Sequence, residues 1–163
     1  MTLSDVIEVE TAKNYSFLDE KFQSPPKEIE CIGLISELIP IKTVKNYLID
    51  VDDIIGTYHS GYQNIDFRKV CKHLNKNNEF KKYDVDDENF LKKLYDKKDP
   101  NKNYAWSLVV YNGKGYIENG NHRTVSAKLL AKCGKIPSKI YVPVAFIVDL
   151  SSYRGNNICE EMR

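Results

Sequence analysis

Within eight residues, Tyr116-Ile117-Glu118-Asn119-Gly120-Asn121-His122-Arg123, the chain gathers a carboxylate, side-chain amides, an imidazole and a guanidinium. Each of these groups can work on an anion. Thr124–Ala131 follows directly and reads as an amphipathic helix, so a glycine turn delivers the polar groups to a helix start. There, backbone N–H groups lack intrahelical acceptors and the helix dipole is positive, which suits a phosphate or carboxylate. His122 adds a titratable donor, and Arg123 a permanent cation whose planar fork can hold two oxygens. Asn121 either donates its amide to a phosphate oxygen or serves the turn by tolerating a left-handed conformation. Thr124 and Ser126 either offer hydroxyls to the anion or act as caps. Glu118 reads as a general base, as a magnesium anchor, or as the ion-pair partner of Lys114 across a hairpin.

Elements must be found to hold that turn. The strongest β signal is Trp106–Tyr111, then Asn112-Gly113, then Gly115–Glu118, because Asn-Gly between β-rich runs specifies a tight hairpin. The helix 124–133 should pack through Val125, Leu129 and Leu130 and close at Gly134. Tyr141–Val148 reads as a further strand whose Pro143 predicts an edge or a strand start. Upstream, the spacing predicts a helix over Lys27–Ile39, a strand over Lys45–Ile49, a turn at Asp52-Asp53 and a loop over Gly56–Asn64. Ile65–Leu74 reads as a helix capped by Asn64. Asp87–Tyr95 reads as a second, capped by Asp86 with Val85 and Phe90 as a staple, and ended by Asp99-Pro100. Residues 1–24 are weakly patterned, with Tyr15, Phe17, Leu18 and Phe22 as anchors.

The order of strand, two helices, hairpin, glycine turn, helix and strand, with Gly120-Asn121-His122-Arg123 at the turn, resembles the ParB/sulfiredoxin superfamily. Sulfiredoxins carry Gly-Cys-His-Arg at this turn, partition proteins Gly-Glu-Arg-Arg, and related free-serine kinases Gly-His-His-Arg. The resemblance spans roughly residues 44–150 and is specific over Glu118–Lys128. It implies an α/β (α+β) fold: a small mixed sheet with a hairpin and three to four flanking helices. Residues 1–43 would then be an N-terminal extension packing on the core, and 151–163 a C-terminal tail. The resemblance also implies a nucleotide- or phosphate-binding domain. His122 and Arg123 would contact the phosphates of the ligand, a nucleoside triphosphate with Mg2+; from residue chemistry, Gly120, Asn121 and Thr124 are expected beside them in the ligand site, and Glu118 and His122 are expected to catalyse phosphoryl transfer or phosphate-ester cleavage. Asn121 stands where sulfiredoxins have the nucleophilic cysteine, and an amide cannot attack phosphorus as a thiolate does, so sulfinic-acid reduction is not expected. The competing expectation is a non-catalytic nucleotide or nucleic-acid binding module, or a DNA-acting nuclease-like protein of a mobile element.

Composition bounds these readings. The 163 residues suit one domain, and 42% hydrophobic with 29% charged residues is ordinary for a globular protein. The net charge of +1 conceals an uneven distribution: residues 1–67 carry five Lys or Arg against twelve Asp or Glu, whereas 104–163 carry eight against four. A basic C-terminal part suits a polyanionic ligand, although lysines interleaved with acids also describe a plain solvated face. Tyr104, Trp106, Tyr111, Tyr116 and Tyr141 could stack on bases or pair across strands. Cys31, Cys71, Cys133 and Cys159 are scattered without a Cys-x-x-Cys pair, which predicts reduced thiols, no structural metal and a cytoplasmic setting. His59 and His73 have no metal-ligand spacing with His122, and the Asp50-Asp52-Asp53 turn has no ligand loop for a divalent cation. No apolar run is long enough to span a bilayer, and Met1–Val6 does not resemble a secretory signal.

Overall fold

A computed structural model describes residues 1–30, 41–77, 79–96 and 106–150. Five strands form one mixed sheet: β1 Ile41–Asp50, β2 Ile54–Thr57, β3 Ser107–Tyr111, β4 Lys114–Asn119 and β5 Lys139–Val148, in the order β1-β5-β3-β4-β2. Among the described residues four α-helices accompany it: α1 Leu3–Thr11, α2 Phe67–Asn77, α3 Phe90–Asp96 and α4 Asn121–Lys132. The expected α+β architecture is thus observed.

The hairpin that leads to the glycine turn forms as its sequence specifies. Tyr111 pairs with Lys114, while Asn112 at φ 52° and Gly113 at φ 76° make the two-residue connection. Both central residues have the positive φ of a type I′ turn, whose twist matches that of the strands. Strand alternation then divides the side chains between two faces. Leu108, Val110 and Ile117 join the large core, with Phe67, Val70 and Leu74 of α2 and Val125, Leu129 and Leu130 of α4. Val109 and Tyr116 face the other way, toward Ile29 and Val148.

The N-terminal residues are part of this core. Leu3, Val6 and Ile7 of α1 and Phe17, Leu18 and Phe22 beyond it are buried in the large cluster. Thr2 and Asp5 close a capping box around the start of α1, satisfying two otherwise unpaired backbone donors. Gln23 bridges to Gly56 at the edge of β2, so the segment after α1 is tied to the sheet as well. At the far end, α4 closes with a Schellman pattern: Gly134 N–H donates to Ala131 O and Lys135 N–H to Leu130 O, with Gly134 at φ 78°.

Several expected boundaries move. The loop expected over Gly56–Asn64 contains the end of β2 and a 3-10 turn, Ser60–Asn64. β2 is short and β4, in parallel, is its one strand neighbour in the sheet, so it lacks the long alternation that marks an antiparallel strand. Helix α2 starts at Phe67 and is capped by Asp66, whose Oδ1 accepts from Lys69 N–H at 2.8 Å; Asn64 reaches Ser60 O instead. Helix α3 starts at Phe90, because the carboxylate and carbonyl of Asp87 take the Asn89 and Phe90 N–H groups while Asp86 pairs with the N-terminal amine. Pro143 does not mark an edge: β5 lies between β1 and β3. The imino residue is accommodated because β1 opposes it with Asn46 at φ 52°, and neither residue enters the paired register. Of the helix expected over Lys27–Ile39, Lys27–Ile29 forms a 3-10 turn. Its remainder from residue 31, together with Asp99-Pro100, Tyr104, Cys31 and Cys159, lies outside the described residues.

Replacing Gly113 by Val should lower stability by roughly 1–3 kcal/mol, since a β-branched residue resists positive φ. The open space around the position means that no clash contributes. Chemical denaturation measures the change, and unchanged stability would contradict the turn assignment.

Candidate functional site

β2 and β4 run parallel, β2 ending at Thr57 beside Ile117 and β4 continuing to Asn119, and α4 starts at Asn121 directly after the single residue Gly120. Ligands of α/β sheets commonly lie outside the carboxyl ends of strands, where helix N-termini converge. Gly120 makes the junction possible. It adopts φ 109° and ψ 37°, and a Cβ there would stand 2.4 Å from Trp106 Cδ1. Only glycine fits both the backbone and the space. The left-handed residue expected within the Asn-Gly-Asn run is therefore Gly120, and Asn121 is already helical.

The opening turn of α4 splits into inward and outward groups. Thr124 is fully buried: its hydroxyl donates to Gly120 O at 2.9 Å and accepts from Trp106 Nε1 at 3.1 Å. Ser126 is buried too and donates to His122 O at 2.7 Å. Both hydroxyls are committed to holding the helix start, so they belong to the frame and not to a ligand shell. Arg123 is 5% exposed, placed beneath the turn instead of on its surface. Asn121 and His122 are half-buried and remain at the mouth. Gly120 supplies no side-chain cap, so the first amides of α4 are not closed by a capping side chain.

Asn121 is fixed by Thr57, whose Oγ1 donates to Asn121 Oδ1 at 2.6 Å and accepts from His59 N–H at 3.1 Å. With the amide oxygen engaged, the Nδ2 donors of Asn121 are the groups left to face a ligand. His122 Nε2 and Tyr62 Oη share a hydrogen bond at 3.0 Å. The His73 ring of α2 stacks on His122 at 5.6 Å between centroids and 13° between planes, and His59 meets the Tyr62 ring edge-on at 4.8 Å. The three histidines of the chain are thus linked in a row of ring contacts, His59 to Tyr62, Tyr62 to His122 and His122 to His73. Sequence spacing could not reveal this, because the residues come from a 3-10 turn and two helices that only tertiary packing brings together. Among the described residues no group of three His, Cys, Asp or Glu side chains is arranged to hold a metal ion.

Burial pushes the His122 imidazole down to about 4, with His73 and then His59 adding like-charge repulsion. The ring is therefore neutral near pH 7. Glu118, half-buried on β4, accepts from Ser107 Oγ at 2.6 Å. It does not pair with Lys114, which bonds Asp53 at 2.7 Å. The acidic turn is likewise used internally: Asp50 Oδ1 caps Asp52 N–H at 2.9 Å, and Asp52 pairs with Lys132 at 3.4 Å. Of the aromatic residues considered for stacking on bases, Trp106 and Tyr116 are buried, and Tyr141 is exposed at the β1–β5 ribbon.

No protein-family model, curated protein or solved structure matches the chain. No helix among the described residues is long and apolar enough to cross a membrane.

The depressed His122 pKa gives a stability prediction. The unfolded ring titrates near 6.5 and the folded one near 4, so between those values the unfolded state binds more protons. Stability from this site is complete above about 6.5 and falls as pH drops through about 4. His122→Gln should flatten the fall in stability across that window, measured by urea denaturation at stepped pH. An unaltered slope would show that His122 is not the residue held neutral.

Proposed function

We propose that the chain is a nucleotide- or phosphate-binding domain of the ParB/sulfiredoxin-like kind, with its ligand seated on the Gly120–Arg123 turn. The observation that carries this reading is the left-handed Gly120, which opens an uncapped helix N-terminus beside Asn121 and His122. A phosphate placed there accepts from the first amides of α4 and from Asn121 Nδ2, whose orientation Thr57 fixes. Arg123 keeps its charge when buried and strengthens the positive potential under the turn. Thr124, a candidate ligand group by its place in the first helical turn, serves instead through its bond to Gly120 O. Charge neutralisation and positioning are most of what phosphoryl transfer asks of a protein. His122, neutral and bonded to Tyr62, and Glu118, on the strand entering the turn, are the groups proposed to move protons. Mg2+ would arrive with a nucleoside triphosphate, the phosphates supplying much of its coordination.

Calorimetric titration with nucleoside triphosphates at low salt tests the site. Asn121→Ala should weaken binding about ten- to a hundredfold, since a charge-assisted hydrogen bond contributes roughly 1.5–3 kcal/mol, and Arg123→Ala should weaken it as well by removing the positive charge beneath the turn. A bound phosphate opposes the burial that keeps His122 neutral, so binding should take up a proton and affinity should fall as pH rises. Repeating the titration in buffers of different ionisation enthalpy measures that proton. Equal affinity in wild type and both variants would defeat the assignment, and turnover of the nucleotide with Mg2+ separates a catalyst from a binder.

A further inference from the structure

Away from the turn, a cleft of about 590 Å3 lies between the N-terminal segment and the core. Its walls include Phe17, Glu20 and Lys21 on one side and Asp52, Phe67, Lys128 and Lys132 on the other. Lys128 is 6% exposed, an unusual position for a lysine that forms no ion pair with a carboxylate among the described residues. Its Nζ donates to Val51 O at 2.5 Å and stands 5.7 Å from the centre of the Phe67 ring. Among the described residues these are its partners, so Lys128, which lines the cleft, has one hydrogen-bond acceptor for the three protons of its amine. A structural lysine tying α4 to the turn after β1 would need only the Val51 bond. It would not need a cleft at its head, nor carboxylates along the same cavity.

We propose that Lys128 is a carbonyl-reactive amine, and that this cleft takes a small anionic aldehyde or keto acid and holds it as an imine. The neutral Nζ attacks the carbonyl carbon; the N–C bond forms as the C=O π pair moves to oxygen, which takes a proton. The nitrogen, cationic after the attack, gives up one proton to leave the carbinolamine; its hydroxyl then takes a second proton and departs as water while the nitrogen lone pair closes the C=N bond, and loss of the last N–H proton gives the imine. The step is reversible and involves no change of oxidation state: amine and carbonyl give imine and water. Glu20 and Asp52, both lining the cleft, are placed to deliver and recover the protons, and Lys21 and Lys132 to hold the anionic substituent. The electrostatics raise the share of neutral amine above that of an ordinary lysine. Burial lowers the Lys128 ammonium to about 8, Asp52, Glu20 and Asp50 oppose that shift, and Lys132 adds to it. Phe17 and Phe67 supply apolar surface for the carbon skeleton, with Lys132 6.0 Å from the Phe17 ring centre.

The test uses the whole chain with two probes, pyridoxal 5′-phosphate and glyoxylate, each trapped by borohydride and mapped by peptide mass spectrometry. The expected result is a reduced adduct on Lys128 in excess over exposed lysines such as Lys13 and Lys114, with a labelling rate that rises through a pH midpoint below that of an ordinary lysine. Lys128→Arg, which keeps the cation but cannot form the imine, should remove the dominant adduct. Should that variant fail to fold, the wild-type map and its pH profile decide. Adducts spread over exposed lysines and the Met1 amine, with Lys128 unmodified by both probes, would overturn the proposal.

Discussion

The contact between Gly120 and the Trp106 indole is the constraint on which the rest of the site depends. Strand β4 must become helix α4 within one residue, and the buried indole leaves no room for a side chain there. Trp106 also bonds Thr124, which in turn bonds Gly120 O, so indole, hydroxyl and carbonyl lock the first turn of the helix together. Because the helix cannot start later or swing outward, Asn121 and His122 stay at the mouth and Arg123 stays beneath it. A helix start held this rigidly can leave its first amides without a side-chain cap. Its order comes from the packed frame below and not from capping of the donors themselves.

The residues around that mouth show how tertiary packing converts ordinary side chains into a chemically particular set. Tyr62 and His59 come from a 3-10 turn following β2, His73 from α2 and His122 from α4. Stacking and the Tyr62 bond place His122 where burial and two neighbouring imidazoles disfavour its charge. A neutral imidazole poised against a positive helix end is a site whose protonation must respond to an arriving anion. The same logic governs Lys128, buried on α4 yet lining a cleft walled in part by the N-terminal segment.

What was legible in the sequence followed physical locality. Asn112-Gly113 fixes its hairpin through two residues, and Gly134 closes α4 through bonds spanning one turn. The spacing of Val125, Leu129 and Leu130 names three buried residues, but α4 is buried at every position from Arg123 to Leu130, which a stripe of apolar residues does not show. Sequence alone starts α4 three residues late, because Thr124 resembles a surface cap and only the fold brings Trp106 over it. β2 and the Pro143–Asn46 accommodation were hidden because each depends on a partner distant in sequence. The capping box of Thr2 and Asp5 before Val6 and Ile7 was a local signal that could have revealed α1. By contrast, the histidine cluster and the burial of Lys128 leave no trace in spacing, since both arise where separate elements meet.

The account places an anion on the amides that open α4, and backbone amide chemical shifts report on that contact directly. Titrating isotope-labelled protein with inorganic phosphate and then with a nucleoside triphosphate should produce saturable downfield shifts at Asn121, His122 and Arg123, with smaller changes at Tyr62 and Thr57. Saturation with the largest shifts on any other surface, or no shift in these amides at saturating ligand, would contradict the claim that the Gly120–Arg123 turn is the binding site.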